Sequence, residues 1–181
     1  MHSHQNMEII TYIRKGKISH KDDIGNNGEI EQGQIQVMSA GSGITHSEYN
    51  LSKQETLLFQ IWIKPNKQNV KPVWSNINLS DKNNQAVQVL ASGQEKYNNS
   101  DILKIEQDAS VVRIVGTQET INYKIKKNRH YYGVVSNGLV NINNIETVSK
   151  RDGFYIESEN EIDFHFIKST EIILVDLPVI V

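Results

Sequence analysis

Cysteine is absent from the 181-residue sequence, which excludes disulfides, zinc–thiolate sites, iron–sulfur clusters and a cysteine nucleophile. That absence fits a reducing compartment, so a cytoplasmic location is expected. No stretch approaches the ~20 apolar residues of a membrane span. The N-terminus lacks the basic-then-apolar order of a secretory signal. Neither sign of charge dominates: 19 Lys and Arg against 21 Asp and Glu leave a net charge of −2. The cations are scattered, so neither direct nucleic-acid contact nor an anionic membrane surface is expected. Proline is rare and no long amphipathic helix is readable. No Ser-His-Asp order can be picked out. The glycines at 41 and 43 are followed by neither Lys-Ser/Thr nor a helix, so they form no phosphate loop.

The dominant period is two. Leu57, Phe59, Ile61 and Ile63 alternate with Leu58, Gln60 and Trp62. Val111–Val115, Ile121–Ile125, Leu139–Ile142 and Phe164–Ile167 are similar short runs rich in β-branched and aromatic residues, punctuated by Gly and Asn. They predict an all-β fold of sandwich, jelly-roll or barrel type. Asn137-Gly138 predicts a two-residue hairpin. The segment 81–90 could hold one helical turn or more. The Lys64–Ser80 segment, with Pro65 and Pro72, reads as a connector, giving two units at 1–75 and 76–181. Both units carry a strand, a Gly turn and a strand (Tyr12–Ile18 and Val134–Val140), then a further Gly turn, which suggests an internal duplication.

Two short motifs carry the chemistry. His2-Ser3-His4 opens the chain, and His46-Ser47-Glu48 follows the Ala40–Thr45 turn. In a strand, residues i and i+2 share a face. Two such strands side by side would aim three imidazoles and one carboxylate into one space, a donor set for a divalent transition metal. Glu8, four residues beyond His4, is an alternative ligand or a hydrogen-bond acceptor behind the ligands. His20, His130 and His165 read as structural, with His20 on a strand surface. Trp62, out of phase with its apolar neighbours, reads as packing between the two units.

These residues also carry a family resemblance. The segment from His2 to Tyr12 resembles the first signature of the pirin and pirin-like proteins, and Gly28–Glu48 resembles the second almost throughout. Gln60–Ile63 and Leu174–Pro178 match as well, so the likeness covers essentially the whole chain. It implies a bicupin: two jelly-roll β-barrels, with a mononuclear metal, usually iron, in the N-terminal barrel only. By position the ligands would be His2, His4, His46 and Glu48, and no such pair accompanies His130 or His165. Ser3 and Gln32 replace prolines usual in the family. Relatives usually carry roughly fifty further residues before the first histidine pair, so the first barrel is expected to lack its opening strands, an edge that a homodimer could cover.

The resemblance implies three alternatives for function. One is a quercetin 2,3-dioxygenase-type enzyme acting on a small aromatic substrate, with Glu48 taking the substrate's proton. Another is a metal-dependent or redox-responsive regulator with a protein partner, as eukaryotic pirin is. The third is a metal-free remnant.

Overall fold

The computed structural model describes residues 1–79, 85–97, 101–156 and 159–179. The chain is built from strands, and among the described residues its one helical segment is a 3-10 turn at Glu95–Tyr97. It divides into two compact units. The first comprises 1–84 and 91–107, the second 85–90 and 108–181.

The strands of the first unit are β1 (His2–His4), β2 (Glu8–Lys15), β3 (Lys17–Asp22), β4 (Asn27–Glu31), β5 (Gln34–Ser39), β6 (Ile44–Tyr49), β7 (Leu57–Ile63) and β8 (Val73–Asn78). They form two antiparallel sheets, β1-β6-β3-β4 and β7-β2-β5-β8. Between the sheets lie Ile9, Met38, Ala40 and Ile44, and a second cluster of Ile13, Ile18 and Ile30. Asn6 takes a left-handed φ of 50° and carries the chain from the first sheet to the second. Gly16 (φ 72°) carries it back, and a Cβ there would lie 2.6 Å from the Glu55 carbonyl oxygen, so only glycine fits the crossover.

The expected division at 75/76 cuts through β8. That strand pairs with β5 along its whole length, which holds 76–78 in the first unit. The connector expected at 64–80 is therefore partly strand. Residues 91–107 return to the first unit, where Asn66 N–H donates to the Glu106 carbonyl and Gln107 Nε2 to the Lys64 carbonyl. The helical turn expected at 81–90 is strand from Val87 onward, and 81–84 lie outside the described residues.

The next strands are β9 (Val87–Ser92), whose end lies in the first unit beside β10 (Leu103–Lys104), then β11 (Ser110–Gly116), β12 (Thr120–Lys124), β13 (Arg129–Asn137), β14 (Leu139–Ile142), β15 (Glu146–Ser149), β16 (Gly153–Ile156), β17 (Glu161–Phe166) and β18 (Thr170–Pro178). In the second unit β12-β17-β14-β15 faces the sheet containing β11-β18-β13-β16 across one continuous apolar core. Asn137-Gly138 does not close a hairpin. Asn137 pairs with Glu171, Gly138 takes φ 98°, and the chain crosses from one sheet to the other. Hairpin chemistry and crossover chemistry use the same left-handed glycine, so the dipeptide alone cannot tell them apart.

The duplication is visible in the topology. β2-β3-β4-β5-β6-β7 and β13-β14-β15-β16-β17-β18 share one pairing scheme, and the register break between Ile13 and Lys15 recurs between Val135 and Asn137.

Candidate metal centre

The Gly41-Ser42-Gly43 turn, closed by Gly43 N–H to the Ala40 carbonyl at 2.9 Å, delivers β6 alongside β1. His2 then stands opposite His46 and His4 opposite Ile44. The Ser3 and Thr45 hydroxyls, on the other face, bond at 2.8 Å. Three rings converge: His2–His46 centroids are 4.4 Å apart, His2–His4 4.8 Å and His4–His46 5.1 Å. A donor atom from each lies within 4.8 Å of the others.

His46 is 1% exposed and neither of its ring nitrogens has a partner. Burial, then the neighbouring His2, His20 and His4, push its pKa down to about 4. His4 is also lowered, chiefly by burial and then by His2. Neutral imidazoles with free lone pairs are what a metal requires. A buried, unpartnered polar atom costs about 1–3 kcal/mol, and a metal would relieve that cost at His46.

Glu48 sits between two matching arms. Gln36 Nε2 donates to its Oε1, and Gln60 Nε2 donates to its Oε2 at 2.8 Å. Behind each glutamine stands an indole: Trp74 Nε1 donates to Gln36 Oε1 at 2.8 Å, and Trp62 Nε1 to Gln60 Oε1 at 2.9 Å. An indole N–H can only donate, so each amide must turn its oxygen to tryptophan and its NH2 to the carboxylate. Each indole also flanks an imidazole. Trp62 meets His4 edge-on at 5.0 Å, and Trp74 stacks on His20 at 4.8 Å. Trp62 is 53% exposed, so the sequence expectation that it is a packing residue gives way to a place at the rim of the site.

His20 is not on a surface. It is fully buried, its ring centroid 5.3 Å from that of His46, with Nε2 3.1 Å from Asp22 Oδ2. Its β4 neighbour is Gly28, where a Cβ would meet Trp74 at 2.9 Å, so the glycine leaves room for the indole. His20 and Asp22 are in phase with buried Ile18 on β3, a period-two signal that the flanking lysines obscure.

Glu8 does not join the cluster. The Asn6 turn places it on the other sheet, opposite Ser39, whose hydroxyl donates to its Oε1 at 2.7 Å. Residues four apart share a face only along one unbroken strand, and the chain turns at Asn6 between His4 and Glu8. His130 and His165 also lie outside the cluster, bonded to Tyr155 and Thr120.

The repeat explains what became of this site in the second unit. Matching Gly16 to Gly138 and following the strand registers sets Ile142 in place of His20, Ile162 in place of His46, and Phe164 in place of Glu48. Tyr123 and Ile125 replace His2 and His4, and Phe154 replaces Gln36. All six belong to or pack on the apolar core, and the Gln36–Glu48 contact becomes a Phe154–Phe164 ring pair at 6.1 Å.

Residues 1–63 match the family described as Pirin, and residues 89–177 match the quercetinase C-terminal cupin domain. The chain is 40% identical over 178 residues to a pirin-like protein of Caulobacter vibrioides, covering 97% of this chain and 75% of that one. It is 34% identical over 180 residues to a quercetin 2,3-dioxygenase of Escherichia coli K12, covering 98% and 75%. The crystal structure of the E. coli bacterial pirin YhhW in complex with nickel(II) matches with a TM-score of 0.89 at 34% identity, covering 99% of this chain and 76% of that one.

Proposed function

Since the chain belongs to the pirin family, we propose that its first unit is an iron-dependent dioxygenase site of the quercetin 2,3-dioxygenase type. The observation that carries the reading is His46: a buried imidazole with two free nitrogens, set among other imidazoles and a carboxylate. His2, His4, His46 and Glu48 would hold the ion. The nickel(II) complex of YhhW supports a metal in this fold, and the dioxygenase name of the E. coli relative supports the reaction type. Iron in such a set, with positions left open, supplies a meeting point for dioxygen and an oxygen-bearing substrate, and the electron exchange between them.

The rest falls to side chains. Glu48 Oε2, held by the exposed Gln60 arm, is the acceptor for an acidic hydroxyl proton of a flavonol-like substrate. The Gln36 arm, 1% exposed, keeps the carboxylate in place while Oε2 changes partner. Trp62, more than half exposed, offers a flat apolar surface for an aromatic ring beside His4.

The test is to load the chain with iron anaerobically, add quercetin and admit oxygen. Quercetin loss matched by oxygen uptake, and lost in Glu48→Gln, is expected. Full iron loading without turnover would remove the enzymatic reading.

A further inference from the structure

The donors around His46 form two overlapping sets. His2, His4 and His46 make an outer one; His20, His46 and Glu48 make another, whose donor atoms also lie within 4.8 Å of one another. We infer that this inner set is a metal seat in its own right, able to take a divalent ion without the N-terminal strand. The inference rests on the reading that the pocket binds metal.

Four observations carry it. First, the composition is two histidines and one carboxylate, a set that binds iron(II) and leaves positions open. Second, His20 is fully buried with its Nδ1 unpartnered, beside a His46 whose nitrogens are both unpartnered. Third, Asp22 sets the tautomer. Its Oδ2 lies 3.1 Å from His20 Nε2, and an ionised carboxylate only accepts, so the proton sits on Nε2 and the lone pair on Nδ1. Metal-bound histidines are held in this way, with a carboxylate behind the ring. Asp22 is itself fixed by Ile24 N–H at 3.2 Å, Asn26 N–H at 2.8 Å and Asn26 Nδ2 at 2.8 Å. Those bonds explain Asp22 as a turn anchor, but not the bare, buried Nδ1 of a ring whose centroid lies 5.3 Å from that of His46. The stacked Trp74 ring, at an interplanar angle of 14°, also fixes the His20 plane.

Fourth, the two sets depend on different parts of the fold. His20, His46 and Glu48 come from β3 and β6, paired neighbours inside the sheet, with His20 opposite Glu48 and Asp22 opposite His46. His2 and His4 come from the three-residue β1 at the sheet's end. The inner seat therefore exists before β1 is ordered. An ion captured there gives His2 and His4 something to close on, and His46 serves both sets.

The test uses cobalt(II), followed by its visible absorption, on the wild-type chain and on a His2→Ala/His4→Ala variant, repeated as His2→Asn/His4→Asn. These replacements lie on an edge strand outside the apolar clusters, and circular dichroism checks that the fold persists. The wild type is expected to bind one equivalent. The double variants are expected to bind one equivalent about 10–100-fold more weakly. Adding His20→Gln or Glu48→Gln to a double variant is expected to abolish binding. A folded double variant that takes up less than a tenth of an equivalent, while the wild type binds, overturns the inner seat alone. So does a double variant whose affinity and spectrum are unchanged by His20→Gln and Glu48→Gln. A wild type that binds no cobalt overturns the metal reading of the pocket, and the inner seat with it.

Discussion

At the scale of the residue, the site is a set of polar groups held where apolar ones would pack better. Gln36 shows the cost. It is buried, accepts from Trp74 and donates to Glu48, so Gln36→Leu strands an indole N–H and a carboxylate oxygen at once. Urea denaturation should show a loss of about 1–3 kcal/mol, and metal affinity should fall about 10–100-fold. Gln60→Leu should cost less stability, because that arm is exposed. Glu8 behaves differently. Burial, opposed by the Ser39 hydroxyl, holds its carboxyl above the ordinary value. An acid raised in the fold favours its neutral form. Its contribution is thus full below the unfolded-state value of 4.5 and is lost as pH rises through the folded one. Glu8→Gln, which can still accept from Ser39, should therefore raise the melting temperature more at pH 7.5 than at pH 5; an equal change at both would contradict this. The convergence of His2, His4 and His46 was legible because i, i+2 residues on a strand share a face, whereas Glu48 groups with His46 and His20. His20 was obscured by Lys17 and Lys21, although its phase with Ile18 was present. The Gln36 and Gln60 arms were hidden because a glutamine in an apolar run does not say which carboxylate it will meet.

At the scale of the element, β1 is the weak member. It is three residues long, at the end of its sheet, and makes three register pairs with β6. Short, exposed elements open at low free energy. Amides at 2–4 should therefore exchange with solvent quickly in the metal-free chain and become protected when metal is added, while those of buried β2 change little. Protection of β1 that does not respond to metal would separate the strand from the site. Strand existence was legible from period two across both units. The crossovers were not, since a left-handed residue such as Asn6, Gly16 or Gly138 redirects the chain between sheets as readily as it closes a hairpin.

At the scale of the whole molecule, one pairing scheme serves two ends. The second unit fills the equivalent positions with Ile142, Ile162, Phe154 and Phe164 and gains a continuous core. The first keeps histidines and a glutamate there and leaves ring nitrogens unsatisfied. Phe164→Ala should cost about 3–5 kcal/mol of stability while leaving metal stoichiometry unchanged. Metal should instead stabilise the wild type, by about 2.7 kcal/mol at a hundredfold excess over Kd. The duplication was legible in outline from the repeated strand–glycine pattern. The unit boundary was not, because the return of 91–107 to the first unit rests on long-range pairing rather than local composition. The proposed metal of the first unit sits on His46, the residue common to both donor sets. Metal content after anaerobic iron loading and removal of free ion, compared between wild type and His46→Ala, tests it directly. One equivalent per wild-type chain and less than a tenth in the folded variant is the expected result; equal metal in both would contradict it.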